Sequence, residues 1–186
     1  MQGSGSNQKE LSFFCDETNI DIIPLAFVDI FPAQGDGLPG QDFGNACNGL
    51  PLFTPGPGYP LGDVDTSNDH LYKNCSAVQT GIPYCQSKGK KILLSLGGGT
   101  DTYQLTGAAD GEYFADLLWG MYGPFPNSVT NQAWIDAGSP RPLDFEVTGN
   151  NPEDYINVDG FDLDIEVSAI GINFCVVMHL TGSNFR

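Results

Sequence analysis

Positive charge is scarce in this chain. Only 7 Lys and Arg stand against 23 Asp and Glu, for a formal net charge of −16. Nucleic acids and anionic membranes are recognised through clustered basic residues, so neither is an expected partner. Long apolar runs are missing as well. No stretch reaches the roughly 18 apolar residues that a membrane-crossing helix needs, and no apolar segment precedes Leu11 to act as a secretory leader. His70 and His179 stand apart, without a partner at metal-ligand spacing, and read as ordinary loop or core residues. The five cysteines form no CxxC pair, so no zinc site, metal or cofactor is expected. No internal repeat is visible.

What is present points to a folded domain. Hydrophobic residues make up 40% of the 186 positions and include 12 Phe and 7 Tyr, too rich a store for a disordered acidic tail. The 24 Gly and 13 Pro imply long, structured loops rather than a helical bundle. Cys15, Cys47, Cys75 and Cys85 lie in the first half of the chain and suggest two disulfides and an oxidising compartment. Spacing alone leaves buried free thiols as an equal alternative, and Cys175 is unmatched. Asn74-Cys75-Ser76 is a glycosylation acceptor triplet, a pattern short enough to arise by chance.

Along the chain, Ile20–Phe31 (IDIIPLAFVDIF) is rich in β-branched and aromatic residues and predicts a buried strand of the parallel-sheet kind. Pro32 to Asp69 is crowded with Gly, Pro, Asp and Asn, as in a functional loop. Ser76–Lys88 predicts a helix with Val78, Ile82 and Cys85 on one face, weakened by Pro83. Lys90–Leu96 predicts a second buried strand that runs into Gly97-Gly98-Gly99. The triplet lacks the Lys-Ser/Thr of a phosphate loop, and more simply lets a ligand approach the backbone. Asp110 is the predicted cap of a helix carrying Phe114, Leu117, Leu118 and Met121 on one face. Gly123 to Pro152 is a polar connection, and Val158–Ile165 the third strand. Apolar strands separated by helices or long crossovers predict an α/β fold with a parallel sheet.

The most informative segment is Asp159-Gly160-Phe161-Asp162-Leu163-Asp164-Ile165-Glu166. Side chains alternate along a strand, so Asp162, Asp164 and Glu166 share one face and Phe161, Leu163 and Ile165 the other, which can pack under a helix layer. Neighbouring carboxylates are then about 6–7 Å apart, twice the rise per residue. Like charges that close in a partly buried site resist full ionisation, so at least one pKa should be raised. A carboxyl group kept protonated near neutrality can act as a general acid. Two other readings compete: a half-exposed strand whose acids face water, and a calcium site. The calcium-loop pattern requires a glycine and loop residues where this segment has Phe, Leu and Ile.

These residues resemble glycoside hydrolase family 18, the chitinases. Asp159 to Glu166 matches the family's DGxDxDxE signature, and Lys91 to Gly99 (KILLSLGGG) its SxGG strand. Asp21 to Phe27 looks like the family's second barrel strand. Phe114 to Trp119 (FADLLW) and Arg141-Pro142-Leu143 resemble the fungal and plant class III endochitinases. The likeness runs in order over residues 2–166.

The resemblance implies a (β/α)8 barrel, of which about the first half of the strands can be located, with its site at the carboxyl ends of the strands. It implies cleavage of chitin or N-acetylglucosamine oligosaccharides with retention, by substrate assistance rather than an enzyme nucleophile. Glu166 would be the general acid and base. Asp164 would orient the substrate acetamido group, and Asp162 would share a proton with Asp164. Asp159 would support the start of the strand. Gly98, Gly99 and Tyr103 would border the sugar cleft, with Asp42 standing where relatives carry an asparagine. The family's cysteine pattern implies Cys15–Cys85 and Cys47–Cys75 bridges in a secreted protein, and a monomer is expected. The family's opening strand with its Tyr-Trp-Gly-Gln is missing, and Val167–Arg186 does not match, so the expected division is a partial catalytic domain over 1–166 and a divergent tail over 167–186. The relatives' downstream tyrosine and tryptophan have no counterpart, which predicts a truncated chain. A non-catalytic chitin or glycan binder, or an inactive fragment, is the alternative to an active enzyme.

Overall fold

β-branched and leucine side chains bury best on a pleated surface covered by helices, and the chain follows that preference. In the computed structural model the described residues are 7–16, 19–35, 37–54, 56, 71–100, 103–124, 133–144 and 155–166. The elements in order are α1 (Leu11–Cys15), β1 (Ile22–Val28), α2 (Ser76–Ser87), β2 (Lys91–Gly98), α3 (Ala108–Tyr122) and β3 (Gly160–Ile165). The strands form a parallel sheet in the order β1-β2-β3, so the α/β class and the parallel sheet are as expected. His70, Cys175, His179 and the proposed tail 167–186 lie outside the described residues.

Register assigns the two faces. Leu25, Leu94 and Phe161 share one rung, and Ala26, Ser95 and Asp162 the next. On the first face Ile23, Leu25, Val28, Ile92, Leu94 and Leu96 are buried with Val78 and Ile82 of α2 and Phe114, Leu117, Leu118 and Met121 of α3. Each such side chain contributes about 1.5–3 kcal/mol by leaving water. On β3, Phe161 and Ile165 pack against this core, whereas Leu163 is 50% exposed. The expected helix cover is therefore incomplete there. The opposite face is open at its foot, where Ile22 is 55% exposed.

Element limits differ from expectation in informative ways. The helix runs through Pro83, because buried Val78, Ile82 and Cys85 hold it against the core. Asp110 is not the cap: α3 starts at Ala108 after Gly107, and the Asp110 carboxylate reaches back to accept the Thr106 N–H at 2.8 Å. An acid in the first turn still interacts favourably with the helix dipole.

The long connections are built rather than slack. Cys15 is bonded to Cys85, joining α1 to α2, and Cys47 to Cys75, fastening the β1–α2 loop to the start of α2. Phe31, Leu38 and Phe43 of that loop are buried, and buried Gln41 donates to the Tyr122 hydroxyl of α3. In the α3–β3 connection, Arg141 is buried and bonds Asp144 through two nitrogens at 3.0 and 3.1 Å. The same guanidinium donates to the carbonyls of Gly120, Gly123 and Ile156. It thus caps the end of α3 and fixes the approach to β3.

Candidate active site

Because the sheet is parallel, the carboxyl ends of its strands meet at one edge, and the loops that follow carry the groups gathered there. Glu166 is the residue just past β3 and is exposed. Its main-chain N–H donates to the Tyr103 hydroxyl at 2.9 Å, and that hydroxyl donates to the Gly98 carbonyl at 2.8 Å. Tyr103 is only 7% exposed, with Phe31 against its ring at 5.4 Å between centroids. One buried phenol therefore clasps the ends of β2 and β3 together. Its ring is wedged in the core, so the clasp fixes where Glu166 begins its side chain.

The glycines after Leu96 supply the space. Gly97 lies opposite Asp164 with φ of +114°, and a Cβ there would strike the Asp164 carbonyl. No other residue takes that conformation without strain. A Cβ on Gly99 would stand 3.5 Å from the Glu166 carboxylate, so glycine keeps the volume beside the acid clear of any longer side chain. Asp162 sits two rungs lower and accepts a hydrogen bond from the Ser95 hydroxyl at 2.8 Å. Ser95 was not singled out from sequence as a site residue. Its place two residues before Gly97, on the acidic face, was the available signal.

Asp42 reaches the same edge from the β1 side. Its main chain exchanges hydrogen bonds with Phe27, while its exposed carboxylate accepts the Gly44 N–H at 2.7 Å. Asp159 stands at the opposite end, just before β3. It accepts from the Ile92 N–H at 3.0 Å, Lys91 Nζ at 2.8 Å and Gln86 Nε2 at 3.0 Å. Burial pushes its pKa up, but those donors outweigh it and hold the carboxyl below the ordinary value of 3.8. Under the site, burial raises the pKa of Tyr122, against smaller opposing effects of Gln41 and Arg141. Among the described residues, no three His, Cys, Asp or Glu converge to hold a metal ion, and no helix is long and apolar enough to cross a membrane.

The parallel α/β fold is shared with chitinase-like proteins of known structure. The ICChI chitinase of Ipomoea carnea superposes with a TM-score of 0.55 at 25% identity, over 89% of this chain and 45% of that one. By sequence the chain is a homologue of fungal endochitinases. It is 40% identical to endochitinase A of Aspergillus niger and 42% identical to endochitinase A of Emericella nidulans, each over 166 residues and 88% of this chain. The chain spans 11% and 15% of those two curated relatives. No family model matches it.

Proposed function

We propose that the chain carries the acid/base machinery of a retaining chitinase, a hydrolase of β-1,4-linked N-acetylglucosamine polymers. The observation that carries this reading is the ladder itself: Asp162 fastened to Ser95, Asp164 above it, and Glu166 clasped at its main chain and open at its side chain. In this mechanism Glu166 protonates the glycosidic oxygen as the bond from the anomeric carbon breaks. The acetamido carbonyl oxygen of the substrate bonds to that carbon and forms an oxazolinium. Asp164 accepts the acetamido N–H and stabilises the developing positive charge, with Asp162 sharing its proton. Water, deprotonated by the Glu166 carboxylate, then opens the oxazolinium with overall retention. Asp159 anchors the start of the strand. Gly98, Gly99, Tyr103 and Asp42 would border the sugar.

The three strands are read as belonging to the first half of an eight-stranded (β/α)8 barrel, after its opening strand. The fraction of the Ipomoea chitinase that the chain overlays supports this reading. The two disulfides support secretion, and a monomer is proposed. The test is release of soluble oligosaccharide from chitin by the purified chain. Glu166→Gln should lower the rate by about 10²–10⁴-fold, the usual contribution of a positioned acid/base, with an unchanged circular dichroism spectrum. A well-folded chain that releases nothing would sink the proposal.

A further inference from the structure

We infer that Asn74 is a site of N-linked glycosylation. The Asn74-Cys75-Ser76 triplet carries the required hydroxyl two residues after the asparagine. The structure adds that the folded chain accommodates a substituent at this position. Asn74 is exposed, and its φ of +59° places it at a turn, a conformation asparagine tolerates better than most residues. Ser76 is also exposed, as the first residue of α2, while Cys75 between them turns inward to 1% exposure and its bond with Cys47. Both residues of the triplet that take part in recognition are thus exposed while their neighbour anchors the turn. The bond to Cys47 does not oppose modification, because transfer acts on the extended triplet before the chain folds.

The position keeps a bulky substituent off the sheet. Only residues 88–90 separate α2 from β2, so the end of α2 lies at the foot of the sheet. Twelve helical residues span about 18 Å. Asn74 therefore stands at the end of the molecule that carries Glu166, on the helix side. In the transfer, Asn74 Nδ2 bonds to the anomeric carbon of a lipid-linked oligosaccharide pyrophosphate. The bond from that carbon to the pyrophosphate oxygen breaks, the lipid pyrophosphate departs, and the amide gives up one proton. No oxidant or reductant takes part.

The inference rests on passage through a eukaryotic secretory route, not on catalysis. The full chain behind a cleavable secretory leader is produced in a eukaryotic host and weighed intact, before and after peptide-N-glycosidase. One glycan per chain is expected, with aspartate left at position 74 on its removal. The glycan should be lost in both Asn74→Gln and Ser76→Ala, the latter leaving the turn residue in place. A glycan that persists in both variants overturns the inference. So does an unmodified chain in which a second triplet, engineered at another exposed position, is occupied.

Discussion

At the scale of single residues, the site depends on groups that hold the acids as much as on the acids. Asp159 illustrates how firmly, since it gathers a main-chain and two side-chain donors at the foot of β3. Its folded-state pKa lies below 3.8, so its ionised form contributes stability that is fully present above that value and is lost as pH falls through the folded-state pKa. Asp159→Asn should cost about 1–2 kcal/mol near neutrality, kept modest because Lys91 is largely exposed. The gap between wild type and variant should stay level from about pH 5 to 8 and shrink below the ordinary aspartate value. Urea unfolding across pH measures it, and a gap that widens in acid would contradict the assignment. The ladder was legible because a period of two in acids is a pattern that sequence displays directly. The Tyr103 clasp was not, since its partners are a main-chain carbonyl and a main-chain N–H, which carry no residue signature.

At the scale of elements, burial explains what sequence disclosed. β1 and β2 were readable as strands because their helix-facing residues are apolar and buried. Their last residues were less so, because the glycines of β2 read as a break and yet continue the ladder to Gly98. Leu163 marks the converse: alternation predicted its face correctly, but the cover over a strand depends on elements distant in sequence. Arg141 is the clearest case of an unreadable role. It binds one carboxylate and three carbonyls from α3 and from the approach to β3. Breaking a buried, hydrogen-bonded ion pair leaves a bare charge, so Arg141→Met should destabilise by about 3–5 kcal/mol. Arg141→Lys should restore only a minor part, because an ammonium lacks the planar fork that serves several acceptors together. Chemical denaturation of both variants checks this, and a lysine variant as stable as wild type would remove the cap from α3.

At the scale of the whole molecule, a net charge of −16 works against compactness, and the covalent links offset it. The Cys15–Cys85 bond joins positions 70 apart, and restricting an unfolded loop of that size is worth about 4 kcal/mol. Replacing both cysteines with alanine should lower unfolding stability by about that amount. Urea melts of the oxidised proteins would show it, and a loss below about 1 kcal/mol would mean that the unfolded chain is already compact. The phenol clasp has a further consequence, in the order of events. Tyr103 and Glu166 are 63 positions apart, so their hydrogen bond is among the costly long-range closures of folding. Closing it brings the ends of β2 and β3 together across α3 and the connection that carries Arg141. A chain in which β3 has not docked beside β2 would carry the glutamate without this anchor.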